Sequence, residues 1–414
     1  MAHGTGDSAM SLLDCQKHRF TLPADVHYLN CAYMGPLPAT AQQAGVEAIA
    51  VKGAPHGIGA SAFFEGSDRA RSLFGQLIDA DPTRIAIIPA VSYGIATVAR
   101  NVTVEAGSNI VVVGEQFPSN VYAWRRLAAT RGGELRTVHP PDSAHRGEAW
   151  NDALLGAIDA ATAVVAVPQV HWTDGTRFDL AAVSARARAA GAVFVIDGSQ
   201  SIGAHPFDVQ RLAPDAVICA GYKWLLGPYA IGLAYYGERF DDGEPIEETW
   251  IGRRNSEDFR GLVNYRDDYQ PGAVRYDVGE RSNFILLPML TAALEHVLAW
   301  KPERIQEYCA RLTRPLVDEA RELGFTVEAE AWRGAHLFGL RTPPGLDLDA
   351  LQRTLQQRKI SVSLRGSALR VSPNVYNDAA DVTALQQALR AAVTHPAPDA
   401  ATPSADPAAP ASAR

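Results

Sequence analysis

The two residues whose types and spacing best suit chemistry are Asp197 and Lys223. Asp197 follows the apolar stretch Val193–Ile196, and Lys223 stands 26 positions later, shortly after the apolar run Ala216–Ala220. Both stretches are short and apolar, as the buried strands of a parallel sheet are. Ligands bind beyond the carboxyl ends of such strands. A lysine placed there among apolar neighbours can lose its proton and act as an amine nucleophile.

The pair predicts a particular cofactor. Pyridoxal 5′-phosphate (PLP) requires a lysine that forms a Schiff base with it and an acidic partner for its pyridinium nitrogen. Lys223 and Asp197 supply these two groups, and Lys223 can also move the α-proton of an amino acid as general base and acid. The alternative interpretation is a buried ion pair with a purely structural role.

The sequences around this pair resemble the class V aminotransferase family of fold type I PLP-dependent enzymes. That family includes cysteine desulfurases, kynureninase and isopenicillin-N-epimerase-like enzymes. The resemblance is carried by Asp-Gly-Ser-Gln at 197–200 and Tyr-Lys-Trp-Leu-Leu-Gly at 222–227, and it covers roughly residues 25 to 393. It implies an α/β fold, with a large domain on a mostly parallel seven-stranded sheet and a smaller α+β C-terminal domain.

The resemblance also implies cofactor contacts. Ser92 and Tyr93 open a helix after the apolar run at 85–88, and the free N–H groups of such a turn form an anion site. In the family this turn cradles the cofactor phosphate. Phe117 corresponds to an aromatic residue that stacks on the pyridine ring. Four further contacts with the cofactor are implied. Gln200 and Tyr222 would make them within the same chain, whereas Trp250 and Asn283 would reach across the interface from the neighbouring subunit of a homodimer.

For the substrate, the segment at 369–377 resembles the family's arginine-containing motif. Arg370 is therefore expected to bind the α-carboxylate of an amino acid through two parallel hydrogen bonds. Arg365, just before it, is a further candidate for the substrate or for a second carboxylate. His171 and Tyr33 are also candidate substrate contacts. A structural role in a turn or in the core is the alternative for both.

The resemblance implies a PLP-dependent enzyme acting on an α-amino acid, with class V aminotransferase as the default activity. An epimerase or a C–S lyase is the alternative. Desulfurases use a cysteine on a mobile loop, whereas the corresponding segment here, Ser-Val-Ser-Leu-Arg-Gly-Ser-Ala-Leu at 361–369, contains none. Phe117 also stands where desulfurases place histidine. Both departures argue against persulfide transfer.

Two other functions were weighed against this interpretation. A nucleotide-dependent Rossmann oxidoreductase needs G-x-G-x-x-G after its first strand, but the chain reads Pro-Ala-Val-Ser-Tyr-Gly at 89–94. A non-catalytic PLP-binding protein would bind the cofactor without turning over any amine. The sequence does not identify the substrate.

Composition narrows the partners. The chain has 414 residues, a net charge of −8 and four cysteines. Without a cluster of lysines and arginines, neither nucleic acid nor an anionic membrane is an expected partner. The scattered cysteines predict neither a disulfide framework nor a metal site. The chain has no apolar run long enough to span a membrane and begins without a signal-like segment, so we expect a cytoplasmic protein.

Strand and helix patterns alternate from about residue 84 to 236, as in a parallel α/β sheet. We expect a flexible N-terminus over 1–20, followed by a segment at 21–45 that packs with the small domain. The large PLP-binding domain is expected over 46–284 and the small C-terminal domain over 285–393. The Ala- and Pro-rich tail at 394–414 is expected to be disordered.

Overall fold

The computed structural model describes residues 12–143 and 145–394. Its strands are β1 His27–Tyr28, β2 Ile85–Ile88, β3 Asn109–Val113, β4 Glu134–Val138, β5 Thr162–Pro168, β6 Val193–Asp197, β7 Ala216–Ala220, β8 Gly232–Tyr236, β9 Phe338–Arg341, β10 Ile360–Ser361, β11 Ser363–Arg365 and β12 Ala368–Val371. Its helices are α1 Ala39–Gly53, α2 Ala62–Ile78, α3 Val91–Arg100, α4 Tyr122–Arg131, α5 Arg146–Ala157, α6 Leu180–Ala190, α7 Val209–Leu212, α8 Leu286–Trp300, α9 Pro302–Glu322, α10 Leu348–Gln357 and α11 Ala379–Thr394.

A seven-stranded sheet organises the large domain. Its strand order is β2-β8-β7-β6-β5-β3-β4. The central strands pair in parallel, and β8 runs antiparallel to both of its neighbours, β2 and β7. The predicted fold class, with its mostly parallel seven-stranded sheet, is therefore confirmed. The carboxyl ends of β2, β3, β5, β6 and β7 meet at one edge.

Both faces of this sheet are buried. In β3, Ile110 and Val112 pack on one face with α3 and α4, whereas Val111 and Val113 pack on the other. The second face carries α2, α6 and α8. Because side chains alternate along a strand, a sheet covered on both faces requires continuous apolar strands. This requirement explains why the strand sequences lack polar alternation.

The small domain contains a three-stranded antiparallel sheet in the order β11-β12-β9. Helices α9, α10 and α11 pack on it around a separate apolar core. Two short strands, β10 and β11, precede β12 in the chain. Strand β10 pairs in parallel with β1, so that the segment at 21–45 does contact the small domain.

Two predicted boundaries differ from the structure. Helix α8 buries Leu290 and Leu294 in the core of the large domain, so that domain continues beyond residue 284. The N-terminal flexibility predicted for 1–20 does not hold for 12–20, because Leu13 and Phe20 are buried and the Lys17 ammonium lies 2.9 Å from the Asp378 carboxylate. Residues 1–11 and the tail from 395 lie outside the described residues.

Candidate active site

A cavity of about 280 Å³ lies at the sheet edge where the parallel strands end. Each of five strand ends contributes to its wall. Ser92 follows β2, Phe117 follows β3, and Trp172 follows β5. Asp197 ends β6, and Lys223 follows β7. The topology therefore brings together side chains that are up to 131 positions apart in the chain, from Ser92 to Lys223.

Lys223 lies at the base of this cavity and is 6% exposed. Its Nζ atom is 5.1 Å from the centre of the Phe117 ring and 5.6 Å from that of Tyr222. Burial lowers the pKa of Lys223 to about 8, although the negative charge of Asp197 opposes this effect. A lysine with this pKa is half deprotonated near pH 8, and the deprotonated amine is the form that attacks a carbonyl carbon.

Asp197 is 5% exposed and accepts a hydrogen bond from the Ser199 backbone N–H at 3.0 Å. Burial raises the pKa of this carboxyl group. A buried carboxylate is stabilised by a cation in contact with it, and the pyridinium nitrogen of PLP would supply that cation. The role of Asp197 as the partner of the ring nitrogen stays a prediction.

The predicted phosphate turn begins helix α3. Ser92 lines the cavity, and the residue that precedes the helix, Ala90, provides no side-chain cap. The first N–H groups of a helix have no acceptor within it, so this end can bind an anion. The Tyr93 side chain instead packs against the core on the α3 face of the sheet. The Tyr93 backbone N–H donates to the Ala90 carbonyl at 3.1 Å, so Tyr93 offers no free N–H to an anion at this turn.

The two remaining predicted contacts from the same chain line the cavity. The Gln200 amide is held at both ends, because its oxygen accepts a hydrogen bond from the Trp224 indole at 2.9 Å and its nitrogen donates to the Ala32 carbonyl at 3.1 Å. One amide N–H remains for a ligand. Tyr222 is half-buried and packs against Tyr229, with ring centres 4.6 Å apart.

Arg370, a predicted substrate contact, is not among the residues that line the cavity. It is 1% exposed and donates to the Trp172 carbonyl at 2.8 Å, while its Nε has no partner among the described residues. Burial lowers its pKa to about 10, and the nearby charge of Arg365 acts in the same direction. Tyr33 is exposed on the N-terminal segment and is not part of the cavity wall.

The structure places His171 away from the cavity. Its side chain is fully buried beside Trp150, and its two ring nitrogens contact Thr173 Oγ1 at 2.8 Å and the Gly114 carbonyl at 3.2 Å. Burial lowers its pKa to about 4, which keeps the ring neutral. Both nitrogens are thus used in holding the loop after β5, and the neighbouring Val170 and Trp172 line the cavity instead.

Trp250 and Asn283 also lie outside the cavity of their own chain. Trp250 is 39% exposed and packs against Phe63 and Phe259. The Asn283 side-chain oxygen accepts hydrogen bonds from the backbone N–H groups of Ile285 and Leu286 at the start of α8. Any contact of these two residues with a cofactor would therefore have to be made with another subunit.

Among the lining residues that sequence reasoning missed are Trp172 and Gln116. The Trp172 ring lies 5.4 Å from that of Phe117, and its indole N–H donates to the Glu115 carbonyl at 2.6 Å. The Gln116 amide nitrogen is buried without a partner. Both residues follow strand ends, which was the available signal, but Phe117 and His171 beside them were chosen instead.

Together these residues fit PLP. The cavity has a buried amine of lowered pKa, a buried carboxylate that gains from a cationic partner, an aromatic ring beside the amine, and an uncapped helix N-terminus. These four features match the aldehyde, the ring nitrogen, the ring face and the phosphate of the cofactor.

Comparison with known proteins agrees with this chemistry. The family model "Aminotransferase class-V" matches residues 56–393. The chain belongs to this family, and it is a PLP-dependent enzyme of this class or of the related lyases and epimerases. The predicted family and cofactor are thereby confirmed.

Curated relatives differ in activity. Isopenicillin N epimerase of Streptomyces clavuligerus is 26% identical over 78% of this chain and 83% of its own length. An uncharacterized aminotransferase of Bacillus subtilis is 25% identical over 76% of this chain and 80% of its own. A cysteine desulfurase of Klebsiella pneumoniae is 37% identical, but over only 33% of this chain and 32% of its own.

Solved structures show the same fold. The cystine C–S lyase C-DES, in complex with its product cysteine persulfide, superposes with a TM-score of 0.79 at 20% identity, covering 88% of this chain and 97% of that chain. The cysteine desulfurase CsdA of Escherichia coli gives a TM-score of 0.75 at 20% identity, covering 91% of this chain and 97% of that chain.

Within the described residues, no helix is both long enough and apolar enough to cross a membrane.

Proposed function

We propose that the protein is an aminotransferase that acts on an α-amino acid through Lys223. The observation that carries this proposal is the single amine in the cavity wall. Among the described lining residues, Lys223 is the only lysine or histidine, and its pKa is lowered to about 8. One base that both removes and returns a proton on the same face suffices for amino transfer, whereas inversion at Cα requires proton transfer on both faces.

Each residue has a role that its position supports. PLP, when bound, supplies an electron sink that makes the substrate α-proton acidic. Lys223 would act as the general base that takes this proton from Cα and as the general acid that returns it. Asp197 would hold the ring nitrogen in its protonated form, and Phe117 would lie against the ring. Arg370 orients the substrate through its α-carboxylate.

Epimerisation is the second candidate, favoured by the relative that aligns with 83% of its length. A second proton donor would then be required, and the phenols of Tyr222 and Tyr229 also line the cavity. Sulfur transfer has less support. Cys31 packs beneath the Lys223 carbonyl, 3.8 Å from Sγ, and burial raises the pKa of its thiol to about 12, so it is not a ready acceptor.

The test is the absorbance spectrum of the purified protein with a panel of L-amino acids and 2-oxo acids. We expect a visible band from the lysine-bound cofactor that one amino acid bleaches and a 2-oxo acid restores. A Lys223→Ala variant should lose this band and its turnover, while Lys52→Ala, on the exposed face of α1, should keep both. Accumulation of the D-isomer without bleaching would instead identify an epimerase. Retention of turnover by Lys223→Ala would contradict the proposal.

We also propose a cytoplasmic homodimer whose active sites lie near the interface. Trp250 and Asn283 support this assembly, because both lie outside the cavity of their own chain yet match segments that reach a neighbouring subunit in the family. The irregular segment that carries Trp250 also exposes Val263 and Tyr265, which are 77% and 94% exposed. Such apolar exposure is typical of surfaces that pack against a partner.

A further inference from the structure

A second cavity of about 610 Å³ adjoins the active site. The two cavities share Gln116, Phe117 and Trp172 in their walls. The far wall of the second cavity comes from the small domain and includes Arg341 and Arg365. A substrate held at Lys223 would therefore extend past Trp172 into a space lined by cationic groups.

The charges around this second cavity do not balance evenly. Its lining has three arginines, Arg146, Arg341 and Arg365, and two acids, Glu115 and Asp174. Arg146 and Arg341 each lie 3.4 Å from the Asp174 carboxylate. Arg146 also lies 3.9 Å from Glu115, and Arg341 lies 3.8 Å from Glu328.

Arg365 differs from the other two arginines. Among the described residues it has no carboxylate within 4.0 Å, and its Nε is buried without a partner. Its guanidinium instead donates to the Leu364 carbonyl and lies 5.4 Å from the centre of the Trp172 ring. Buried and half-buried cations are normally paired with an anion, so this group lacks the partner that its position calls for.

Strand register brings a second such cation beside it. In the β11–β12 hairpin, Ser363 pairs with Arg370 and Arg365 pairs with Ala368. Directly opposed residues share a face, and alternate residues on a strand do too. Arg365 and Arg370 are therefore diagonal neighbours on one face, and Arg370 likewise has no carboxylate within 4.0 Å in the described part of the chain. Burial is the largest cause of the lowered pKa of Lys223, and the negative charge of Asp197 opposes it. The positive charges of Arg370 and Arg365 each lower this pKa further.

We propose that the substrate is an amino acid with a second carboxylate at the end of its side chain, and that Arg365 binds this group in the second cavity. The proposal deepens the function given above and rests on its assignment of the α-carboxylate to Arg370. The two adjacent guanidinium groups then each receive one anion. The Trp172 ring covers the aliphatic part of the side chain between them.

The structure also suggests a competing arrangement in which both arginines bind a single α-carboxylate. A pair of ligands separates the two arrangements without any turnover. Glutarate and butyrate share a four-carbon chain that ends in a carboxylate, and glutarate adds a second carboxylate. Binding of each to the holoenzyme is followed through the visible cofactor band and, independently, through the rise in melting temperature.

We expect glutarate to bind roughly 10- to 100-fold more tightly than butyrate, as a charged hydrogen-bonded pair would provide. Arg365→Ala should abolish this preference by weakening glutarate binding much more than butyrate binding. Arg365→Lys should retain part of it, and Arg353→Ala, on exposed α10, should retain all of it. Succinate and adipate then report the preferred chain length.

Equal affinities for glutarate and butyrate would overturn the proposal, as would an Arg365→Ala variant that weakens both ligands equally. A preference for 3-sulfopropionate over succinate, which has the same two-carbon spacer, would also overturn the carboxylate assignment. These outcomes are separate from the failure of the proposed function. An enzyme that prefers dicarboxylates but epimerises its substrate would keep the second carboxylate and reject transamination.

Discussion

At the scale of single residues, the cavity depends on two buried ionisable groups with opposite tendencies. Burial lowers the pKa of Lys223 to about 8 and raises the pKa of Asp197. Both pKa shifts favour the neutral form of the group. Each group is stabilised when a bound ligand supplies a partner for it. This arrangement differs from a structural ion pair, in which both groups satisfy each other before any ligand binds.

The first prediction concerns Asp197→Asn, which keeps the size of the side chain and removes its charge. The amide cannot stabilise a positive ring nitrogen, so we expect kcat to fall by about 100-fold or more and Cα proton exchange in D₂O, followed by NMR, to slow in parallel. Asp318→Asn, on the exposed face of α9, is the control and should behave as wild type. Normal exchange in Asp197→Asn would contradict the assigned role.

The second prediction concerns acid stability. Burial lowers the pKa of His171 to about 4 and that of His336 to about 3, from an ordinary value of 6.5. Between these values the unfolded chain binds protons that the folded chain does not, so stability is complete above pH 6.5 and falls as the pH drops toward 4. Each histidine contributes a loss of up to about 3 kcal/mol.

Denaturant unfolding at pH 7.5 and pH 5 measures this loss. His171→Gln should reduce the difference between the two pH values, even if it lowers stability at both. His56→Gln, in an exposed loop, should leave the difference unchanged. An undiminished pH dependence in His171→Gln would show that this histidine is not buried in its neutral form.

At the scale of elements, the N-terminal segment supports the loop that carries Lys223. The Gly35 N–H donates to the Tyr222 carbonyl at 2.9 Å, and a Cβ on Gly35 would lie 2.1 Å from the Lys223 carbonyl oxygen. Gln200 also donates to the Ala32 carbonyl in this segment. The segment therefore packs directly against the backbone of Lys223, where only a glycine allows this approach.

The third prediction follows from this close contact. Gly35→Ala should displace the Lys223 loop, destabilise the protein by about 1–3 kcal/mol and reduce the fraction of protein that carries cofactor. Gly53→Ala is the matched control, since a Cβ there meets nothing within 4 Å, and its stability should be unchanged or slightly raised. Melting temperature and the visible band measure both effects. Identical behaviour of the two variants would show that the segment does not position Lys223.

At the scale of the whole molecule, the proposed active site joins the two domains. The large domain contributes Lys223, Asp197 and Phe117 from its strand ends. The small domain contributes Arg365 and Arg370 from one hairpin. The Arg370 hydrogen bond to the Trp172 carbonyl joins the two parts. A change in the relative position of the domains would therefore alter substrate binding before it altered cofactor binding.

The fourth prediction tests whether a second subunit completes the site. If Trp250 acts across the interface, Lys223→Ala and Trp250→Ala will each be inactive alone, and their co-expression will restore about a quarter of wild-type activity, because half of the dimers are mixed and each mixed dimer has one intact site. The control is a mixture of the two variants that were purified separately, in which the subunits do not exchange between dimers. Absence of restoration in isolated mixed dimers would place Trp250 in its own chain's site or outside both sites.

Much of the assignment of the central site residues follows from the sequence. Apolar strands are short, contiguous patterns, and the residues that follow them directly mark where the strands end. That reasoning predicts Asp197, Lys223 and Phe117 as site residues, and all three line the cavity. His171 does not, since the direction of a side chain in the loop after β5 depends on contacts with Trp150 and the Gly114 carbonyl that no local pattern reveals.

The sequence by itself thus determined the fold class and the family, and it predicted Lys223 as the reactive lysine, each from neighbouring residues in the chain. Only the tertiary structure decided which residues share a wall. Loop packing places Trp172 and Gln116 in the cavity wall. Strand register and loop packing also make Arg365 a neighbour of both Arg370 and Trp172. These contacts join segments that are distant in sequence, and their energies depend on the fold as a whole rather than on local residue type.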